Sequence, residues 1–274
     1  MRCKGEIYMA KFTCNFISYT LKRTVDITVV VPTVTIPESM GMGLAEGEKP
    51  SHNVAAPFPV LYLLHGMGNN HATWTGYTNV EMYAEERNIV VVNISAENKS
   101  YVNHPSGDNF YDFISGELPE FVKSMFPISD KPEDTYIAGL SMGGFGTLVH
   151  ALNRPEQFAA LGAFSAAVSL NPASLTGGED RPIEPRFDPA TLAKEVAASG
   201  KKFPALYIAC GEKDFLIDAN KAFVKDLEDM GQQVTWVTMP QYGHEWRFWD
   251  IQVEEFLDWI PRTDAYAKTG KRQI

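Results

Sequence analysis

The sequence predicts an α/β chain built on a mostly parallel, doubly wound sheet with helices on both faces. Three observations carry this expectation. Short, continuous apolar runs recur at 59–66 (PVLYLLHG), 88–95 (NIVVVNIS), 134–139 (DTYIAG), 158–166 (FAALGAFSA), 204–211 (PALYIACG) and 233–240 (QVTWVTMP). Such runs suit strands covered on both faces, the situation of parallel strands. Helical patterns fall between them, and strand–helix alternation with right-handed crossovers winds a sheet of this kind. The third observation is the stretch YIAGLSMGGFGTLVHAL (136–152), where a strand-type run stops at Gly139 and a helix-type run begins just after Ser141.

From the N-terminus, residues 6–17 and 24–36 read as two strands, an antiparallel pair at the sheet edge. Gly, Pro, Glu and Ser make 38–58 a surface loop. Residues 78–87 carry Val80, Tyr83 and Ala84 on one helical face. Residues 110–125 place Phe113, Ile114, Leu118, Phe121, Val122 and Met125 at i, i+3, i+4 spacing, with Pro119 as a kink or restart. Further helices are expected at 142–153, at 217–230 (Ala219, Phe223, Leu227, Met230) and at 245–260 (Trp249, Val253, Phe256, Ile260). Residues 167–200 break the rhythm: they contain Pro172, Pro182, Pro185 and Pro189 and are too long for a plain connection. They read as a short insertion over the carboxyl ends of the strands, with one helix near 189–198. The whole chain, 1–274, is expected to be one domain with this Pro-rich cap.

The totals exclude several classes of function. With 24 basic and 34 acidic side chains the net charge is 24 − 34 = −10. Nucleic acid and anionic membranes need a basic face, so neither is expected as a partner. The chain is 45% hydrophobic, enough for a large core. Cys3, Cys14 and Cys210 form neither a disulfide framework nor a metal-ligand pattern, so no metal is expected, and Cys210 within ALYIAC reads as a buried free thiol. The start, MRCKGEIYMAKFTCNF, has its apolar residues interrupted by Glu6, Lys11 and Asn15, so no signal peptide is expected. No run approaches the roughly 18 apolar residues of a membrane span. These features fit a cytoplasmic protein.

The segment Gly139-Leu140-Ser141-Met142-Gly143 matches G-x-S-x-G. In a chain of this length and ordinary glycine content a chance match is an event of about one in ten, so the flanking strand and helix carry the weight. A serine on so sharp a turn has a strained backbone that lifts its hydroxyl above the strand ends. Side chains at the two glycines would collide with the facing strand and helix. A serine hydroxyl needs a base, and the base an orienting carboxylate. After Ser141 the chain has two histidines. His150 falls within the helix that follows the serine and reads as a packing or helix-surface residue. His244, in PQYGHEW, lies in the loop after the last strand, where a base can reach the strand ends. For the acid, Asp214 follows Gly211 on the turn above its strand; Asp218, at the start of the next helix, and Glu212 are alternatives. An oxyanion needs two N–H donors. The Met142 amide is one candidate. The Met67 amide, in the loop after LYLLHGMG, is the other, with His65 tying that loop.

Four blocks in this order, PVLYLLHGMGNNHATW, YIAGLSMGGFG, CGEKDFL and GHEWRFW, resemble the esterase D family of α/β-hydrolases, and within it the bacterial tributyrin esterases. The resemblance runs from about residue 20 to 260. It implies an α/β-hydrolase fold, with Ser141 as nucleophile, Asp214 as acid, His244 as base and the Met67 and Met142 amides as oxyanion hole. It further implies hydrolysis of small acetyl-to-butyryl esters, no cofactor and a possible homo-oligomer. Feruloyl and acetylxylan esterases and S-formylglutathione hydrolases share the family, and an acyltransferase could use the same scaffold. The formylglutathione enzymes carry a cysteine shortly after the oxyanion loop, where this chain reads HGMGNNHATW. For substrate contacts, Trp74 follows the oxyanion loop and Trp246 follows His244, while His104 and Tyr111 lie beyond a strand end. Trp249, at helical spacing, reads equally as core.

Overall fold

The computed structural model describes residues 10–33, 40, 56–105, 107–168 and 184–272. Its centre is an eight-stranded sheet with spatial order β1-β2-β4-β3-β5-β6-β7-β8. The strands are β1 (Ala10–Ser18), β2 (Arg23–Val31), β3 (Val60–Leu64), β4 (Val90–Ile94), β5 (Thr135–Leu140), β6 (Ala160–Phe164), β7 (Ala205–Gly211) and β8 (Val234–Met239). β1, β2 and β4 are joined antiparallel, and every pairing from β4 to β8 is parallel. All six apolar runs are strands, and the two N-terminal runs form the expected edge hairpin. Residues 6–9 and 34–36 of those runs, and most of the 38–58 loop, lie outside the described residues.

The helices are α1 (Thr73–Tyr77), α2 (Val80–Glu86), α3 (Phe110–Asp112), α4 (Leu118–Met125), α5 (Met142–Asn153), α6 (Pro189–Ser199), α7 (Ile217–Asp229), α8 (Trp246–Trp259) and α9 (Tyr266–Thr269). A π turn, Phe113–Glu117, joins α3 to α4 with helical dihedrals kept at Asp112, Phe113, Glu117 and Leu118, so the helix runs on through Pro119 rather than restarting there, and the irregularity that accompanies the proline is the π turn. Of the insertion expected at 167–200, residues 169–183 lie outside the described residues; the helix expected near 189–198 is α6. Its start is fixed by Asp188, whose carboxylate accepts the Thr191 amide at 2.9 Å, with Pro189 next.

Alternation along β3 divides the core. Val60, Tyr62 and Leu64 face one layer, with the π turn, α4, α5, α6 and α7. Leu61 and Leu63 face the other, with α1, α2 and α8. Helix α8, WRFWDIQVEEFLDW, is poor in strong helix formers. Phe248, Trp249, Val253, Phe256 and Leu257 are all buried on it. Each contributes roughly 1.5–3 kcal/mol by leaving water, against a few tenths per residue from intrinsic propensity, so packing decides this helix. The parallel direction of β3 to β8 brings His65, Ser141, Asp214 and His244 to the carboxyl end of the sheet, each beyond the last residue of its strand. Among the described residues no helix is long and apolar enough to cross a membrane.

Candidate active site

Ser141 occupies the step between β5 and α5 with φ 54° and ψ −114°, a conformation that L-residues avoid. The two flanking glycines explain how so sharp a step fits. A Cβ on Gly143 would lie 2.4 Å from the Leu64 carbonyl oxygen, and one on Gly139 would lie 2.5 Å from the Gly143 carbonyl. Ser141 is pinned on both sides: its amide donates to Phe164 O at 2.8 Å, and its carbonyl accepts the Phe145 and Ala167 amides at 3.0 and 3.1 Å.

The Ser141 hydroxyl lies 3.1 Å from His244 Nε2, and His244 Nδ1 lies 2.8 Å from Asp214 Oδ2. The Asp214 side chain is fully buried. Burial alone would raise its pKa, but hydrogen bonds from His244, the Leu216 amide and Ser165 outweigh burial and hold the carboxyl below its ordinary value. Since an ionised carboxylate only accepts, Nδ1 carries the imidazole proton and Nε2 presents its lone pair to Ser141. The alternatives for the acid lie elsewhere: Asp218 is in the first turn of α7, and Glu212 accepts Thr238 Oγ1 at 3.1 Å.

The loop after β3 is held against this serine. A Cβ on Gly66 would meet Leu140 Cδ1 at 2.5 Å and Ser141 Cβ at 3.5 Å. His65 is buried and ties the loop as the sequence implied: Nδ1 donates to Gly66 O at 2.7 Å and Nε2 accepts the Ala96 amide at 3.0 Å. Burial, its largest influence, pushes the His65 pKa down to about 4, which keeps this tautomer neutral. Tyr101 donates to His65 O at 2.7 Å, and Asn98 Oδ1 accepts the Gly68 amide at 2.7 Å. Met67 lies on this loop; Met142 opens α5, where no helical carbonyl precedes its N–H.

The expected substrate contacts divide. Trp74 does not line a pocket: it is fully buried, donates from Nε1 to Leu64 O at 3.0 Å, and packs edge-on against Phe164 and Trp246. Its indole N–H serves the carbonyl of Leu64 at the end of β3, which makes it a support beneath the loop that follows. Trp246 is half-buried and stacks on the exposed Tyr77 at 5.1 Å. It also stands edge-on to Trp249, a core residue that is itself edge-on to His244 at 4.9 Å. The His104 ring is bonded to Lys99 O at 2.9 Å, and Tyr111 stacks on the buried His150 at 4.8 Å; neither makes a hydrogen bond or ring contact with the triad residues. His150 is a packing residue, its Nε2 donating to Tyr101 O at 2.9 Å. Two residues beside Asp214 and His244 were missed. Phe215, 70% exposed, lays its ring 4.8 Å from that of His244, and Ser165 is buried next to Asp214. Phe215 stood within the CGEKDFL block, but exposure is not written in that spacing. Two cavities of about 580 and 410 Å³ share Pro132 and Phe158, and neither is lined by Ser141, Asp214 or His244. Among the described residues no cluster of three or more His, Cys, Asp or Glu is placed to hold a metal ion.

The family model Esterase, described as "Putative esterase", matches residues 48–246. The chain belongs to this esterase family. The match spans the loop after β3, the serine turn, Asp214 and His244. An acetyl esterase from Caldicellulosiruptor saccharolyticus is 27% identical to this esterase over 273 residues, 93% of this chain and 99% of the relative. Among solved structures, the fluorophosphonate-binding serine hydrolase FphF of Staphylococcus aureus superposes with a TM-score of 0.79 at 27% identity, covering 92% of this chain and 98% of that one. The S-formylglutathione hydrolase FrmB of Staphylococcus aureus gives 0.77 at 29%, covering 92% and 96%. The esterase is thus a carboxylic ester hydrolase with an α/β-hydrolase fold.

Proposed function

We propose that the protein is a serine carboxylesterase of the esterase D type that hydrolyses small acyl esters through Ser141, His244 and Asp214. The observation that carries the reading is the continuous hydrogen-bonded chain from Ser141 Oγ through both ring nitrogens of His244 to Asp214, at 3.1 and 2.8 Å. His244 Nε2 takes the Ser141 proton as Oγ attacks the ester carbonyl. Asp214 holds the imidazole in the Nδ1–H tautomer and balances the imidazolium that forms. The carbonyl oxygen becomes an oxyanion between the amides of Met67 and Met142, at the positive end of α5. His244 then protonates the leaving alcohol. Water, deprotonated by the same nitrogen, attacks the acyl-enzyme and regenerates the serine.

Short acyl chains, acetyl to butyryl and tributyrin-like, are favoured by the likeness to an acetyl esterase over nearly the full length of both chains. The chain acts as one domain. A buried, free Cys210 suits a reducing cytoplasm. The test is direct. Purified protein should hydrolyse p-nitrophenyl acetate and butyrate faster than longer esters and take up a fluorophosphonate label, and Ser141→Ala should lose ~10⁶ in turnover and all label. Retained turnover in Ser141→Ala refutes the nucleophile. A maximum at octanoyl or longer, or on feruloyl or acetylated sugar esters, refutes the substrate class while leaving the triad.

A further inference from the structure

β3 carries a phenol where its neighbours on the same face carry hydrocarbon. Val60, Tyr62 and Leu64 alternate onto the layer of α4 and α5, and Tyr62 stands beside Ile137 of β5 in the parallel register. Because β3 is paired on both edges and covered on both faces, Tyr62 is only 5% exposed. A tyrosine this deeply buried ordinarily finds a partner for its hydroxyl. Other buried tyrosines of the molecule do. Tyr136 donates to Pro261 O at 2.6 Å, Tyr207 to Gln252 Oε1 at 3.0 Å and Tyr101 to His65 O at 2.7 Å. Among the described residues nothing hydrogen-bonds Tyr62 Oη, and burial is the single influence that raises its pKa. Nor is the hydroxyl sealed in: Tyr62 lines the cavity of about 410 Å³ that lies between this face of the sheet and the π turn.

That volume falls within the range of roughly 300–1,000 Å³ typical of small-molecule pockets. Val60 and Thr135, the first residues of β3 and β5, place the cavity at the amino ends of the strands, at the opposite end of the sheet from Ser141. Ile114, Ile128 and Ile137 make its walls apolar. Gly116 of the π turn also lines it, and a Cβ there would meet no heavy atom within 4 Å. π turns inside helices recur at functional sites. The other hydroxyls on the wall are engaged: Ser129 Oγ donates to Asp134 at 2.7 Å and Thr135 Oγ1 to Lys131 O at 2.9 Å. Tyr62 supplies the buried donor that is left for a ligand. At the mouth Lys123 and Asp130 pair at 2.9 Å, so the remaining charge there is the carboxylate of Glu120, which disfavours an anion. We propose that this cavity is a second ligand site, which takes a neutral, largely hydrocarbon molecule bearing one acceptor oxygen, a carbonyl or a hydroxyl, to which Tyr62 Oη donates. The buried oxygen fixes the orientation and the isoleucines supply the apolar contact. The inference is independent of the catalytic reading, because no residue of the site takes part in the ester chemistry.

Three probes of one shape test this: acetophenone, which carries a carbonyl, ethylbenzene, which carries none, and benzoate, which carries a charge. The full chain is labelled with carbon-13 at the tyrosine ring carbon that bears the hydroxyl, and the Tyr62 resonance is assigned by its disappearance in Tyr62→Phe. Acetophenone should shift that resonance in a saturable way, and benzoate should leave it in place. Binding of acetophenone and ethylbenzene is then measured on the parent and on Tyr62→Phe by saturation-transfer NMR. The preference for the ketone over the hydrocarbon should be about fivefold greater in the parent, the size of one neutral hydrogen bond. Without probe, Tyr62→Phe should melt no lower than the parent, because the hydroxyl it loses has no partner to leave behind. A Tyr62 resonance indifferent to acetophenone up to its solubility overturns the inference, even if the ketone binds elsewhere. So does an equal preference in the two proteins. Benzoate that shifts Tyr62 as strongly as the ketone overturns the neutral class of ligand. A clearly lower melting temperature in Tyr62→Phe shows that the hydroxyl already serves the fold, and it overturns the site as well. Esterase activity is not a readout, so loss of the catalytic reading leaves this test intact.

Discussion

Acid should weaken this protein through a histidine that takes no part in the chemistry. His150 is 2% exposed, and its Nε2 donates to Tyr101 O at 2.9 Å under the stacked ring of Tyr111. Burial, seconded by the charge of Arg154, pushes its pKa from 6.5 down to about 4. The folded state thus declines a proton that the unfolded chain accepts between pH 6.5 and 4. In that window the unfolded state binds more protons, so stability rises with pH and falls on acidification. The slope is about 1.4 kcal/mol per pH unit, giving roughly 2 kcal/mol lost by pH 5 and roughly 3 by pH 4; above pH 6.5 the effect vanishes. In His150→Gln the amide N–H can still reach Tyr101 O, but nothing titrates. The assay is urea unfolding followed by tryptophan fluorescence at pH 7, 6, 5 and 4.5 for both proteins. The gap between them should close by about 2 kcal/mol from pH 7 to 5, the parent being the steeper. Curves that stay parallel over this range refute the reasoning. The consequence reaches the site, because Tyr101, which His150 holds, donates in turn to His65 O at the base of the loop after β3.

Three further outcomes follow from the geometry. Asp214→Asn can keep the Leu216 amide on its Oδ1, but its NH₂ then faces His244 Nδ1 and forces the proton onto Nε2. Turnover should fall ~10⁴-fold with the fold retained, and a loss under tenfold in titrated enzyme contradicts the tautomer argument. Ser141→Gly and Ser141→Ala should both be inactive, yet glycine relieves φ 54° and alanine does not, so the glycine variant should be more stable by about 1 kcal/mol. Equal melting temperatures count against strain at this turn. Phe215→Ala should leave stability within about 0.5 kcal/mol, because the ring is 70% exposed, but should raise KM for p-nitrophenyl esters several-fold. An unaltered KM means that the ring does not meet the substrate.

Much of this was legible in the chain because it depends on local pattern. Runs such as PVLYLL and DTYIAG are strands wherever both faces are covered, and the glycines around Ser141 have no other use than a close crossing. In such a fold the acid and the base follow the serine in chain order, which leaves His150 and His244 as bases to weigh and Asp214, Asp218 and Glu212 as acids. What escaped depends on a partner far away in sequence. Trp74 follows the oxyanion loop whether it faces substrate or core; the Leu64 carbonyl and the edge of Trp246 decide for core. Phe215 is 70% exposed, and exposure is not displayed by any window of residues. Helix α1 is five residues long, less than two turns, and a periodicity of 3.6 cannot be read from it. The π turn at Phe113–Glu117 keeps the apolar spacing of a helix and is invisible for that reason.

The backbone itself shows where this fold puts geometry ahead of comfort. Among the described residues seven non-glycine positions have positive φ, and Glu97, Ser100, Tyr101, Ser141 and Ser165 all lie beyond the carboxyl ends of β4, β5 and β6. Each such position costs about 1–3 kcal/mol unless the surroundings impose it. Here they do: Tyr101 is held by His65 and His150, Ser141 by Phe164, Phe145 and Ala167, and Ser165 by Ala209 and Trp249. A strained backbone at Ser141 left to itself would relax in φ and ψ, and that change would carry its hydroxyl away from His244. Two apolar layers and a ring of hydrogen bonds at one end of the sheet prevent that relaxation, so that the energy of the core is converted into the fixed direction of a single Oγ.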